Sequence, residues 1–228
     1  MTSQLRQAES RTGELRVVEL IATGAPLDEV LALIIQMSED RLEGMLAAVI
    51  VLDEAGRRMR TAAALSLPAE FCRLLDGQPI GRQGGPCGAA VYHREPVIVA
   101  DLQQDPAWAN YAEEARRFGL RACWATPMIS PDGTLLGAFV MHSRVPRSPT
   151  RTELELVEAA THLAAAASNS SRAILIGSPD GRLQMPDLLR LGPGDHTRDH
   201  RDRVLGHPVL RLHGVPDPDG GRDGLVAR

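Results

Sequence analysis

The sequence predicts an α+β fold, an antiparallel sheet of five or six strands with the terminal helices on one face and the connecting helices on the other. Three observations carry this expectation. Segments with apolar residues at helical spacing flank the region between Leu46 and Ser143, short apolar and β-branched runs fill that region, and one clear hairpin turns at Ser130, Pro131, Asp132 and Gly133. The order helix, two strands, short helix, strand, helix, two strands, long helix makes a sheet layered with helices.

Taken in order, Leu15 to Ile21 and Leu27 to Met45 read as helical, with Leu27, Val30, Leu31, Ile34, Ile35 and Met37 in one broad stripe. Gly24 and Pro26 separate the two, because Pro opens a helix but breaks one from within. Leu46 to Leu52 and Arg58 to Leu65 come next as strands around a turn of Asp53, Glu54, Ala55 and Gly56. Pro68 to Gly77 is a short helix, Pro96 to Leu102 a third strand, and Ala107 to Gly119 a further helix. RACWATPMI and TLLGAFVMHS are the two arms of the hairpin, where Pro131 suits an early turn position and Gly133 a late one. The last helix runs from about Thr150 to Ser171, and Thr150 with Glu153 has the spacing of a capping box.

From Leu191 onward the chain is crowded with Gly, Pro, Asp, Arg and His, without periodicity or aromatics, and is expected to be irregular or disordered. The chain therefore divides into a flexible N-terminus over 1–14, one domain over 15–171, and an irregular tail over 172–228. The tail contains His196 and His200 at the i, i+4 spacing of metal ligands, but Gly192, Pro193 and Gly194 precede them and no helix is expected there.

Composition narrows the function classes. The 228 residues are 43% hydrophobic but only 3% aromatic, so the position of each aromatic carries information. A net charge of -4, with arginines scattered among acids, argues against a nucleic-acid partner. No apolar run is long enough for a membrane span, and the first ten residues are polar, so a cytoplasmic protein is expected. Cys72, Cys87 and Cys123 lack CxxC spacing, which suits a reducing compartment better than disulfides or a zinc site.

GPCGAAVYHREPVIVADLQQDPAW, GLRACWATPM and GTLLGAFVMHSRVPRSPTRTELELVEAA together resemble a GAF domain of the kind found in bacterial sensor histidine kinases and diguanylate cyclases. Weaker likeness extends upstream through GAPLDEVLALII. The resemblance implies a PAS-related sheet in which Gly84, Gly85 and Gly88 permit backbone angles closed to other residues. It also implies Asp105 as a helix cap and an inward-facing Trp108. GSPDGRLQ, Gly177 to Gln184, resembles the opening of a PAS domain; a truncated second sensor domain and a shifted reading frame both fit the residues beyond Gln184.

A ligand of a GAF domain, where there is one, lies between the sheet and the helices after the third-strand region. Carried over by position, its lining would be Cys87, Val91, Asp101, Trp108, Tyr111, Phe118, Cys123 and Trp124. Both Trp and both Tyr residues fall between Tyr92 and Trp124, which suits an apolar pocket with a few polar groups; equally, these side chains would simply fill a core. No cofactor is indicated. The Asn-Lys-Phe-Asp-Glu signature of cyclic-nucleotide binders and the Cys-His pair of bilin binders are absent, and His93, His142 and His162 read as surface or satisfied histidines rather than haem ligands.

The resemblance implies a sensory domain of two-component type that binds a small ligand or partner and signals through its flanking helices. It would act as a homodimer and through an effector of kinase or cyclase type, with no enzymatic activity of its own. Two alternatives stand beside it. Cys87 in GPCGAAV resembles a segment of free methionine sulfoxide reductases, although their downstream partner cysteines have no counterpart here. A dimerisation module that binds nothing is the other.

Overall fold

Gly24, at a φ of 71°, ends the first helix, α1 (Ser3–Ala22), and Pro26 opens the second, α2 (Leu27–Arg41). The computed structural model describes residues 3–82 and 84–177. α1 reaches back to Ser3, into the stretch expected to be flexible; Gln, Arg and Glu there favour a helix without an apolar period to reveal it. α2 stops earlier than its apolar pattern suggests. Leu42 leaves helical angles, Gly44 adopts a φ of 76°, and Met45, expected to end the helix, instead opens the first strand.

Beyond α2 the described residues form five strands: β1 (Met45–Leu52), β2 (Met59–Ala64), β3 (Val97–Val99), β4 (Ala122–Ile129) and β5 (Leu135–Ser143). They form one antiparallel sheet in the order β2-β1-β5-β4-β3. The β1–β2 turn is held by Asp53, whose Oδ1 accepts from Arg57 N (2.8 Å) and Arg58 N (3.1 Å). The β4–β5 turn forms where expected, with Gly133 at a φ of 82° and Ser130 N donating to Thr134 O at 2.9 Å. β3 is three residues rather than seven. Past Val99, Ala100 O is taken by Arg147 N and Leu102 N by Arg121 O, so the ladder cannot continue.

Four more helices lie among the described residues: α3 (Ala69–Leu75), α4 (Gly85–His93), α5 (Ala109–Arg117) and α6 (Arg151–Gly177). Asp105 caps a 3₁₀ turn, Pro106–Trp108, by accepting from Ala107 N at 3.0 Å, and this turn leads into α5. The capping box of α6 forms: Glu153 N donates to Thr150 Oγ1 at 3.3 Å and Thr150 N to Glu153 Oε2 at 2.7 Å. The residues from 178 on, including most of the PAS-like opening and the His196/His200 pair, lie outside the described residues.

Strand alternation divides the interior in two. Ala47, Val49, Trp124, Met128, Phe139 and Met141 face α1, α2 and α6, whereas Ala48, Ile50, Cys123, Ala125, Ala138 and Val140 face α3, α4 and α5. The terminal helices thus share one face and the connecting helices the other, as the sequence predicts. No helix among the described residues is long and apolar enough to cross a membrane.

Candidate functional site

The second of these faces carries the polar chemistry. α4 begins at Gly85, whose φ of 70° brings the backbone against the Tyr111 ring; a Cβ there would stand 2.9 Å from it. Of the three glycines expected to need unusual angles only Gly85 does. Gly84 has an ordinary φ of -77° and serves close approach instead, since a Cβ on it would meet Pro79 O at 2.4 Å, and Gly88 lies within the helix. α4 is buried from Gly85 to Val91 and so sets Cys87 and Val91 deep beneath the surface.

Cys123, on β4, pairs across the sheet with His142 on β5, and both side chains are fully buried on the same face. Tyr111 reaches in from α5. The residue is partly buried as a whole, and its hydroxyl lies 3.0 Å from His142 Nε2. Tyr111 and Cys87 both adjoin Cys123. Phe71 from α3 closes the cluster, with its ring centroid 5.3 Å from His142 and edge-on to it, 6.1 Å from Tyr111 and 5.5 Å from Phe118.

Burial sets the charge state of these groups. His142 is pushed down to about 4, because an imidazolium in this interior would forgo its hydration without a counter-charge. Burial likewise raises the Cys123 thiol well above its ordinary range, and raises the Tyr111 phenol, with Cys123 and Cys87 adding to the latter. At neutral pH the cluster is therefore a set of uncharged hydrogen-bonding groups. One atom in it is unsatisfied: His142 Nδ1 is buried without a hydrogen-bond partner.

The structure brings together six of the eight residues predicted to line a pocket: Cys87, Val91, Trp108, Tyr111, Phe118 and Cys123 all pack in the core beneath α3, α4 and α5. It sets the other two apart. Asp101 lies at the rim, where its Oδ1 accepts from Arg121 Nε (3.0 Å) and its Oδ2 from Arg121 Nη2 (2.6 Å). The Arg121 hydrogen bond holds its carboxyl below the ordinary range. Trp124 is on the opposite face, because it neighbours Cys123 on one strand and successive side chains point opposite ways. Its indole Nε1 donates to Arg147 O at 3.0 Å, and the Arg147 guanidinium lies over the ring at 5.7 Å. The aromatic clustering read from the sequence is also looser than it looks, since Tyr92 is half exposed on α4.

Two members of the cluster escaped sequence reasoning. Phe71 sits in a short helix distant in sequence from the others. His142, taken for a surface or satisfied histidine, is neither; the available signal was a lone His following the apolar run of β5. Among the described residues no group of three or more His, Cys, Asp and Glu side chains is placed to hold a metal ion.

A family model described as a GAF domain matches residues 24–168. The chain belongs to the GAF domain family. A methyl sulfide methyltransferase-associated sensor of Methanosarcina acetivorans is 35% identical to it over 163 residues, which is 71% of this chain but 16% of that protein. The GAF domain of an Acinetobacter phosphoenolpyruvate-protein phosphotransferase superposes with a TM-score of 0.55 at 15% identity, covering 76% of this chain and 98% of the other. Free methionine-R-sulfoxide reductase from Neisseria meningitidis superposes with a TM-score of 0.57 at 18% identity, covering 72% of this chain and 90% of that one. At these identities both likenesses speak for the fold alone.

Proposed function

We propose that this GAF domain is a signal-input module whose ligand site is the interior beneath α3, α4 and α5. The observation that carries the reading is the buried cluster of Tyr111, Cys123 and His142, which keeps one polar atom, His142 Nδ1, without a partner inside an apolar surround. Binding sites commonly have this composition, an apolar wall with a few placed polar groups.

Arg147 supplies a physical route from that interior to α6. Its backbone N–H donates to Ala100 O (2.9 Å), next to the Asp101–Arg121 pair at the rim, and its carbonyl accepts from Trp124. Its guanidinium donates to Glu43 O at 2.7 Å and forms a short ion pair with Glu153, the capping residue of α6. A displacement of β3 or β4 on ligand entry would therefore reach the start of α6 through one residue. Two states that differ in these contacts are what a ligand must distinguish.

Native mass spectrometry of the protein purified from its own host is expected to show a retained small molecule, and its removal is expected to change hydrogen exchange in α6. Arg147→Ala is expected to cost about 2 kcal/mol and to abolish the α6 response while leaving ligand retention intact. Absence of any retained molecule, together with no change in Trp108 emission across a metabolite screen, would sink the reading.

The partner is proposed to be a second copy, with an effector of kinase or cyclase type downstream. Leu15, Val18 and Leu154 stand exposed on α1 and α6 at 70%, 51% and 42%. Sedimentation at tens of micromolar is expected to show a dimer that Leu15→Glu and Val18→Glu together disperse; a wild-type monomer would refute it. A second reading, a dimerisation module that binds nothing, draws support from Phe71, Tyr111 and Phe118, whose rings already fill much of the interior. Dimer without ligand would select it. The reductase reading, which would use Cys87, is the weakest of the three, since Cys87 is buried on α4 at 1% exposure, out of reach of a sulfoxide in solution. The cysteines are unpaired, in keeping with a cytoplasmic setting.

A further inference from the structure

We infer that the molecule this domain accepts is small, uncharged and carries a hydrogen-bond acceptor that meets His142 Nδ1–H. The inference rests on the interior beneath α3, α4 and α5 being the ligand site.

His142 is 0% exposed, and its Nδ1 has no partner while its Nε2 lies 3.0 Å from the Tyr111 hydroxyl. A neutral imidazole has one N–H and one lone pair, so the partner of Nε2 decides which of the two Nδ1 carries. A phenol is the more acidic partner and an imidazole nitrogen the more basic one. The hydroxyl therefore donates to Nε2, and the ring proton resides on Nδ1. What is left over is a buried N–H donor, and leaving such a group unmatched costs about 1–3 kcal/mol. A ligand that supplies an acceptor recovers part of that cost.

The surroundings exclude a charged ligand. Phe71, Phe118, Cys87 and Cys123 adjoin the cluster, and none offers a charge. At the rim Asp101 and Arg121 satisfy one another through two hydrogen bonds, and the Arg144 guanidinium is engaged with Phe118 O at 2.9 Å. A phosphate or carboxylate would meet a single N–H where it needs several donors, and a cation would find no carboxylate. Aromatic edges and thiols favour an apolar body around the one acceptor atom, an oxygen or a sulfur.

Three probes of equal size separate the possibilities: tetrahydrofuran has one acceptor, cyclopentane none, and pyrrolidinium a charge and only donors. Nitrogen-15 spectra of the full chain are expected to show His142 as the Nδ1–H tautomer without any probe. Tetrahydrofuran is expected to bind about tenfold more tightly than cyclopentane and to shift Nδ1, while pyrrolidinium leaves His142 unmoved. In His142→Phe the preference for tetrahydrofuran should vanish. An Nε2–H tautomer, equal binding of tetrahydrofuran and cyclopentane, or binding of pyrrolidinium overturns the inference while leaving the site itself standing, provided Phe71 and Tyr111 signals move. Silence of those signals with all three probes overturns both. The tautomer is read on the wild-type chain, so the inference stays testable even if His142→Phe fails to fold.

Discussion

Gly137→Val is expected to leave no folded GAF domain at 25 °C, with a loss of more than about 4 kcal/mol against the 5–15 kcal/mol typical of a domain. Gly137 lies on β5, between β1 and β4, and pairs with both Val51 and Met128. Its φ of 154° is one that residues with a Cβ rarely adopt. A Cβ there would stand 1.9 Å from Ile50 O and 2.8 Å from Ile50 C and Val51 Cα, all backbone atoms. β1 cannot retreat, because β2 holds it from the other side. Gly133→Ala is the control: it too has a positive φ, 82°, but no neighbour lies within 4 Å of its Cβ position, so only backbone strain of about 1 kcal/mol is expected. Urea unfolding followed by circular dichroism reads both variants. A Gly137→Val midpoint close to that of the wild type would mean that β1 and β5 do not approach as described.

The same glycine shows where sequence reasoning stops. The hairpin arms and the capping box were legible because each rests on local spacing, and the division of helices between the two sheet faces because it follows the order of elements along the chain. Register was not. At the turn Ile129 pairs with Leu135, which would set Cys123 opposite Met141 if continued; the irregularity between Met128 and Ile129 shifts the pairing by one, so that Cys123 meets His142. Only the Gly137 in TLLGAFV hints at that irregularity. Trp124 was misplaced for a related reason, since assigning both it and Cys123 to one pocket ignores their opposite directions along a strand. Asp101 was drawn to the rim by Arg121, twenty residues further on, a partner that no periodicity announces. Phe71 joins the cluster through tertiary contact alone.

Lowering the pH from 6.5 to 4 is expected to remove about 3 kcal/mol of stability through His142 alone. In the folded chain this imidazole is held at about 4 by burial, against 6.5 ordinarily. Between those values the unfolded chain binds a proton that the native chain refuses, so the contribution is fully present above pH 6.5 and is lost as the pH falls through 4. The carboxylates with lowered values, Asp53, Asp101, Asp132 and Glu153, act in the same direction but further down, since their ordinary values lie at 3.8 or 4.5. Tyr111 and Cys123, which adjoin the imidazole, stay neutral throughout and offer no counter-charge. Urea midpoints at pH 7, 5.5 and 4.5 should fall steeply for the wild type and stay nearly level for His142→Phe down to the carboxylate range. Parallel pH profiles for the two would show that His142 is not the group refusing the proton. A steep wild-type fall confined to acid also bears on sensing: around neutral pH the imidazole keeps its charge state, which leaves it free to report a ligand rather than the proton concentration.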